Sequence, residues 1–164
     1  MARIPQDLSI PIDERKENWI FNTYGSGFMR KYLIDIGLNI ENSFSCFPYG
    51  GNLGWTELCI VRIDNNFITL SRSEGEEWRL RPIFTKPEFP AILQVGLITC
   101  SSTYPNLKST YSYEEYNTKK IKYKVKPDLS AVFEYAKFMR PSIDKEKFEE
   151  IKNDRDKLIA ELGL

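Results

Sequence analysis

The stretch Tyr32 to Ile40, YLIDIGLNI, alternates strictly: Ile34, Ile36, Leu38 and Ile40 fall on one side and Asp35, Gly37 and Asn39 on the other. A period of two predicts a half-buried β-strand. FSCF follows as a short apolar run, closed by the turn cluster PYGGNLG. WTELCIVRI, from Trp55 to Ile63, is apolar on both faces for part of its length, and DNN turns it into FITLSR, a hairpin signal. SEGEE then surrounds Gly75, and WRLRPIF carries the chain back. In TKPEFP, Pro87 and Pro90 stand too close together for a helix. AILQVGLITC reads as a buried strand, and residues 101–118, polar and aromatic without periodicity, as a long loop. In KKIKYKVKP, Ile121, Tyr123 and Val125 point one way and Lys120, Lys122, Lys124 and Lys126 the other; AVFEYAKFM is the last strand.

About nine short strands separated by turns predict a mainly β chain, an antiparallel sandwich of jelly-roll type over residues 19–141, behind a polar extended arm over 1–18. Its expected core is Trp55, Leu58, Ile60, Phe67, Leu70, Trp78, Leu80, Leu93, Val95, Leu97, Ile121, Tyr123, Val125, Phe133 and Tyr135. After Pro141 the period changes. Phe148, Ile151, Leu158 and Leu162 recur at helical spacing, Arg155 interrupts their stripe, and Ser142 or Asp144 can cap the start. The pattern predicts one amphipathic helix over 142–164.

Composition narrows the chemistry. A chain of 164 residues, 41% hydrophobic and 28% charged, is enough for one domain with a core. Lys+Arg and Asp+Glu are both 23, so net charge gives no pull toward nucleic acid or an anionic membrane. Apolar runs are too short to span a bilayer, and the first residues lack the apolar segment of a secretory signal, so a cytoplasmic location is expected. The sequence contains no histidine, which removes the commonest general base and most zinc sites. Cys46, Cys59 and Cys100 form no CxxC pair and read as reduced, buried thiols. No metal and no cofactor is expected.

Three groups carry candidate chemistry. Glu74, Glu76 and Glu77 are close enough in sequence to suggest a carboxylate pair, but a tight turn leaves them solvated, whereas a catalytic acid needs a cleft. Glu114 and Glu115 are adjacent and so would point to opposite faces of a strand. The tyrosines around them are better candidates for binding: Tyr104, Tyr111, Tyr113 and Tyr116 offer rigid, amphipathic area for a sugar ring or a protein. The lysine stripe over 120–126 reads as protection of a sheet edge. Gly25-Ser26-Gly27 lacks the spacing of a phosphate loop.

The run WTELCIVRIDNNFITLSRSEGEEWRLRP, with PAILQVGL after it, resembles a recurrent pattern of the concanavalin A-like lectin/glucanase superfamily, in particular a lectin-like family of unknown function. Trp55, Leu58, Arg62, Asn66, Phe67, Ser71, Gly75, Trp78, Val95, Gly96 and Leu97 carry the resemblance in order, and Phe133 to Phe138 resembles the closing segment of that family, so the match covers about residues 55–140. It implies a sandwich in which SEGEEW is a hairpin turn and Trp78 enters the core, and it implies glycan binding. The acidic E-x-D-x-x-E strand of the enzyme members is absent. Together these readings point to a non-catalytic interaction module holding a protein partner, or a second copy, through the sandwich surface and the helix residues Phe148, Ile151, Arg155, Leu158 and Leu162. A glycan-binding module is the alternative, and a glycoside hydrolase the third reading. No nucleic acid and no membrane is expected as partner.

Overall fold

The computed structural model describes residues 1–11, 14–26, 32–41, 43–98 and 131–164. It divides into two compact units, one made of Met1–Gly96 with Met139–Leu164 and the other of Leu97–Phe138. The larger unit carries eight strands and two short helices among the described residues. In chain order these are β1 (Ala2–Arg3), β2 (Trp19–Ser26), β3 (Tyr32–Ile40), β4 (Ser43–Gly50), β5 (Thr56–Ile63), β6 (Asn66–Ser73), β7 (Arg79–Thr85), β8 (Gln94–Val95), α1 (Lys145–Ile151) and α2 (Arg155–Glu161).

All pairing is antiparallel, in a five-stranded sheet of order β4-β3-β2-β1-β8 and a three-stranded sheet of order β5-β6-β7. The expected strand over Tyr32–Ile40 is present, and its alternation sets the layers: Ile34 and Ile36 are buried between the sheets with Ile20, Phe67, Phe84 and Phe89. The two sheets are stitched directly. Asn22 on β2 donates to the carbonyls of Cys59 on β5 and Leu70 on β6, and Phe47 on β4 meets Phe84 on β7 with ring centres 5.8 Å apart. The long side chain of Arg62 donates to the Phe89 and Pro90 carbonyls and lies over the Phe67 ring, which fastens the 85–90 loop to the sandwich.

The C-terminal segment forms a third layer. Phe148, Ile151, Leu158, Leu162 and Ile143 are buried with Ile63, Ile68, Leu70 and Trp78 on the far side of the three-stranded sheet. The strand β6 is therefore covered on both faces: Phe67 enters the core between the sheets, and its neighbours Ile68 and Leu70 enter the core beneath the helices. Bridging the edge strand β7 to β6 requires one irregularity. Ile68 pairs with Ile83 but Leu70 with Leu80, so Arg81 and Pro82 stand opposite Thr69 alone. A proline cannot donate to a ladder, and a bulge on an edge strand is where one is tolerated.

Several expectations are corrected. The arm over 1–18 is not all separate, because Ala2 and Arg3 pair with both β2 and β8 and Ala2 is buried. The single helix over 142–164 is two helices. Asp154, extended in backbone, caps the second by accepting from the Lys157 amide, as Asp144 caps the first through Lys147, and that cap cannot lie inside a continuous helix. Of the strand expected over 91–100, the described residues 91–98 form only Gln94–Val95, and residues 131–139 form neither strand nor helix.

Of the expected core, Phe67, Leu70 and Trp78 are buried, and Ile60, Leu80 and Leu93 are partly buried against the two cores. Trp55, Leu58, Val95, Leu97, Phe133 and Tyr135 are exposed. Trp55 precedes β5, Leu58 sits on an outer strand of the three-stranded sheet, and Val95 on a two-residue strand at the margin of the other, so none lies in either core formed by the described residues. Leu97, Phe133 and Tyr135 belong to the smaller unit, whose described residues form no sheet. Ile121, Tyr123 and Val125 lie outside the described residues, as do the strand read over 119–127 and the loop over 101–118. No helix among the described residues is long and apolar enough to cross a membrane.

Candidate functional site

An antiparallel sheet with one face on a core ordinarily offers polar residues to water on the other. The five-stranded sheet does so only in part, with Thr23, Asp35 and Asn39 set among aromatic rings. On its outer face Trp19 and Phe21 of β2 and Phe44 of β4 form a triad of rings with centres 5.1, 5.6 and 6.0 Å apart. The local cause is in the sequence WIF: Ile20 is drawn into the core, so its neighbours Trp19 and Phe21 must turn outward. The central position beneath them belongs to Gly37, which pairs with Phe21 on one side and with Cys46 on the other. A Cβ on Gly37 would run into the Phe21 ring, so the absence of a side chain there is what lets the ring lie across β3. Phe44 is 55% exposed, Trp19 and Phe21 half-buried against each other.

The polar atoms around the triad are engaged within the chain. The Trp19 indole N–H donates to Glu17, the Asn39 amide to the Glu17 carbonyl, and the Thr23 hydroxyl to the Asp35 carbonyl. Lys16 pairs with Glu41 at 3.2 Å on the rim. Cys46 is exposed on the same face; partial burial and then the charge of Asp35 hold its thiol above the usual range, so it is a poor nucleophile at neutral pH. Cys59 is half-buried, and burial pushes its thiol up to about 11. The expectation of buried thiols thus fails for Cys46, which sits on an uncovered strand; Cys100 is outside the described residues.

Beside the triad runs β4, which among the described residues pairs only with β3 and so leaves its other edge unpaired. Its eight residues, SFSCFPYG, contain no charge, and all but Tyr49 are exposed. Edge strands are usually guarded by lysine, bulges or proline, and β4 has only Pro48. Uncovered rings next to an uncharged strand edge can receive both side chains and main chain of another polypeptide.

The acids of SEGEEW lie where the sequence put them. Glu74 and Gly75 form the turn after β6, with Gly75 at φ +77°, and Glu76 donates its amide back to the Ser73 carbonyl. The Glu76 carboxylate is held by Asn52 at 2.8 Å and lies 3.4 Å from Arg79. Glu74 and Glu77 are exposed. Among the described residues no group of three or more His, Cys, Asp or Glu is placed to hold a metal.

The residues expected to bind a partner fare differently. Tyr104, Tyr111, Tyr113 and Tyr116 lie outside the described residues. Phe148, Ile151, Leu158 and Leu162 are brought together, but inward, against the chain's own sheet. Their narrow stripe suffices because each helix is only seven residues long and meets the sheet over about two turns. Arg155 was expected to help hold a partner. Its Nη2 instead donates to the Trp78 carbonyl at 3.2 Å, and Asp156, its neighbour in sequence, is 3.9 Å from its Nε. The triad Trp19, Phe21 and Phe44 was missed, although WIF, apolar on both faces at the head of a strand, was a readable signal. No family model, no curated protein and no solved structure matches the chain.

Proposed function

We propose that this chain is a non-catalytic interaction module that holds a protein partner on the outer face and free edge of its five-stranded sheet. The observation that carries this reading is the ring triad Trp19, Phe21 and Phe44 on a face that, among the described residues, belongs to neither core. Burying such rings against a partner gives a favourable, compact anchor, and aromatic side chains dominate binding energy at protein interfaces. The uncharged edge of β4 adds main-chain pairing. The C-terminal helices drop out of the proposal, since their apolar stripe is used within the chain. A glycan platform draws less support: the polar atoms beside the rings, which a sugar's hydroxyls would need, are already engaged by Glu17 and by backbone. The turn position of Glu74, Glu76 and Glu77 supports the absence of catalysis. The concanavalin A-like assignment belongs to the same proposal, supported by two antiparallel sheets stacked face to face.

The test places a photo-crosslinking phenylalanine analogue at position 44 and, as a control, at exposed position 149. The reading expects one discrete protein adduct from position 44, none from 149, and loss of the adduct on Trp19→Ser. An adduct with the chain itself would make the partner a second copy. Selective binding on a glycan array that disappears with Phe44→Ser, without any protein adduct, would replace this reading with the lectin one.

A further inference from the structure

The flank where β4 lies over β7 holds a cation with no direct ion pair among the described residues, the Glu76 carboxylate acting on it only at longer range. Arg81, half-buried, donates its Nε to the Ser71 hydroxyl at 2.8 Å and sets its guanidinium 4.5 Å from the centre of the Tyr49 ring. Arg72 has Glu57 at 2.6 Å and Arg79 has Glu76 at 3.4 Å, but no carboxylate among the described residues lies within ion-pair distance of Arg81. Its two terminal nitrogens have no hydrogen-bond partner among the described residues. Burial and the like charge of Arg79 push its pKa down from the ordinary arginine range, but a guanidinium stays protonated. Withdrawing a charge from water without a partner is costly, and one ring and one hydroxyl offset only part of that cost.

The bulge explains how the group comes to be there. Because Arg81 and Pro82 share the place opposite Thr69, the register shift lets Arg81 reach Ser71, whose cross-strand partner is Arg79. Both arginines, on the edge strand β7, are therefore placed beside one serine of the middle strand β6. The Tyr49 ring and the Ser71 hydroxyl together restrict the Arg81 guanidinium, and a restricted fork is better prepared for a planar, two-oxygen acceptor.

We infer that Arg81, with Arg79 beside it, is a carboxylate-binding site. The carboxylate docks side-on to the two terminal nitrogens of Arg81, and Arg79 adds charge while it remains tied to Glu76. This site is separate from the ring triad and stands or falls independently of it.

The test follows the arginine Nε–H resonances of the intact chain by NMR during titration with sodium acetate and sodium glutarate, with sodium chloride at matched ionic strength as control. The inference expects a saturable shift of the Arg81 signal with either carboxylate and only a weak, linear drift with chloride. Arg81→Lys, which keeps the charge and loses the fork, should weaken glutarate binding at least tenfold by calorimetry, and Arg81→Gln should abolish it. An Arg81 signal that moves no more with glutarate than with chloride overturns the inference, and this arm needs no variant to fold. A tighter, saturable response to inorganic phosphate than to glutarate overturns the assignment to carboxylates.

Discussion

The strands β4 and β6 are each eight residues long, yet nearly every residue of β6 is buried and nearly every residue of β4 is exposed. Composition does not account for this. Asn66, Thr69, Ser71 and Ser73 of β6 are buried, while Phe44, Phe47 and Cys46 of β4 face water. Position does: β6 is the middle of three strands with a sheet on one side and helices on the other, and β4 is the last strand of its sheet. Three of these four buried polar residues of β6 have their side-chain groups satisfied locally. Thr69 donates to the Pro82 carbonyl, Ser71 accepts from Arg81, and Asn66 accepts from Thr85. Within a sheet, then, what a strand contributes depends on what lies above and below it more than on its own hydrophobicity.

The most severe way to test this contrast is to strip one cover from β6. Deleting residues 142–164 exposes Ile68, Leu70 and Trp78 together, and the chain should fail to fold cooperatively in urea or heat. The sequence alone suggested a helix turned toward a partner; a truncated chain with an unchanged melting temperature would restore that view.

Single truncations should separate the two strands next. Phe67→Ala on β6, Phe148→Ala beneath it, and Trp78→Ala, whose ring also lies 4.9 Å below the Arg72 guanidinium, should each cost about 3–5 kcal/mol by denaturant unfolding. Phe44→Ala on β4 should cost about 1 kcal/mol, the loss of two ring contacts at an exposed site. Equal losses at Phe44 and Phe67 would erase the distinction.

Gly37→Ala probes the outer face itself. The added methyl must displace the Phe21 ring, so a cost of about 1–3 kcal/mol is expected. In the background of Phe21→Ala the same change should be nearly neutral, and a double-mutant cycle without coupling would show that the ring does not depend on the glycine.

Asp154→Ala should remove about 1 kcal/mol, the usual worth of a helix cap. The smallest effect concerns Asp64 and Lys145, 2.9 Å apart on the surface. Their hydrogen bond, the first cause in each case, lowers the pKa of Asp64 from 3.8 and raises that of Lys145 from 10.5. The contribution of Asp64 is therefore present above 3.8 and lost as pH falls below it, and that of Lys145 is present below 10.5 and lost as pH rises beyond it. Asp64→Asn removes the main cause of both shifts, so it should flatten the stability profile at the acid end and at the alkaline end.

Local pattern carried much of the fold. The alternation of β3, the DNN and SEGEE turns and the return of Trp78 into a core were legible because each depends on neighbours in sequence. Residues whose fate depends on distant layers were not. Trp55 and Val95 look like core residues in any window of sequence, and nothing near them shows that no layer covers them. The helix stripe was visible, but its target was not. Asp154 was readable in principle, as an aspartate three residues before the amide it caps, yet the apolar spacing on either side of it suggested continuity. As for the candidate site, Trp19 and Phe21 could have been noticed in WIF, whereas Phe44 joins them only through the pairing of β3 with β4.

The order in which the chain is synthesised gives the helical cover another consequence. β5, β6 and β7 follow one another directly and can zip together as soon as residue 85 has emerged. Their helix-facing side stays bare until residues 143–162 arrive, some sixty positions later. During that interval Ile68, Leu70 and Trp78 form an apolar surface on a growing polypeptide, the kind of surface that aggregates or recruits a chaperone. The nascent chain is thus most vulnerable at the place where the finished protein is best buried.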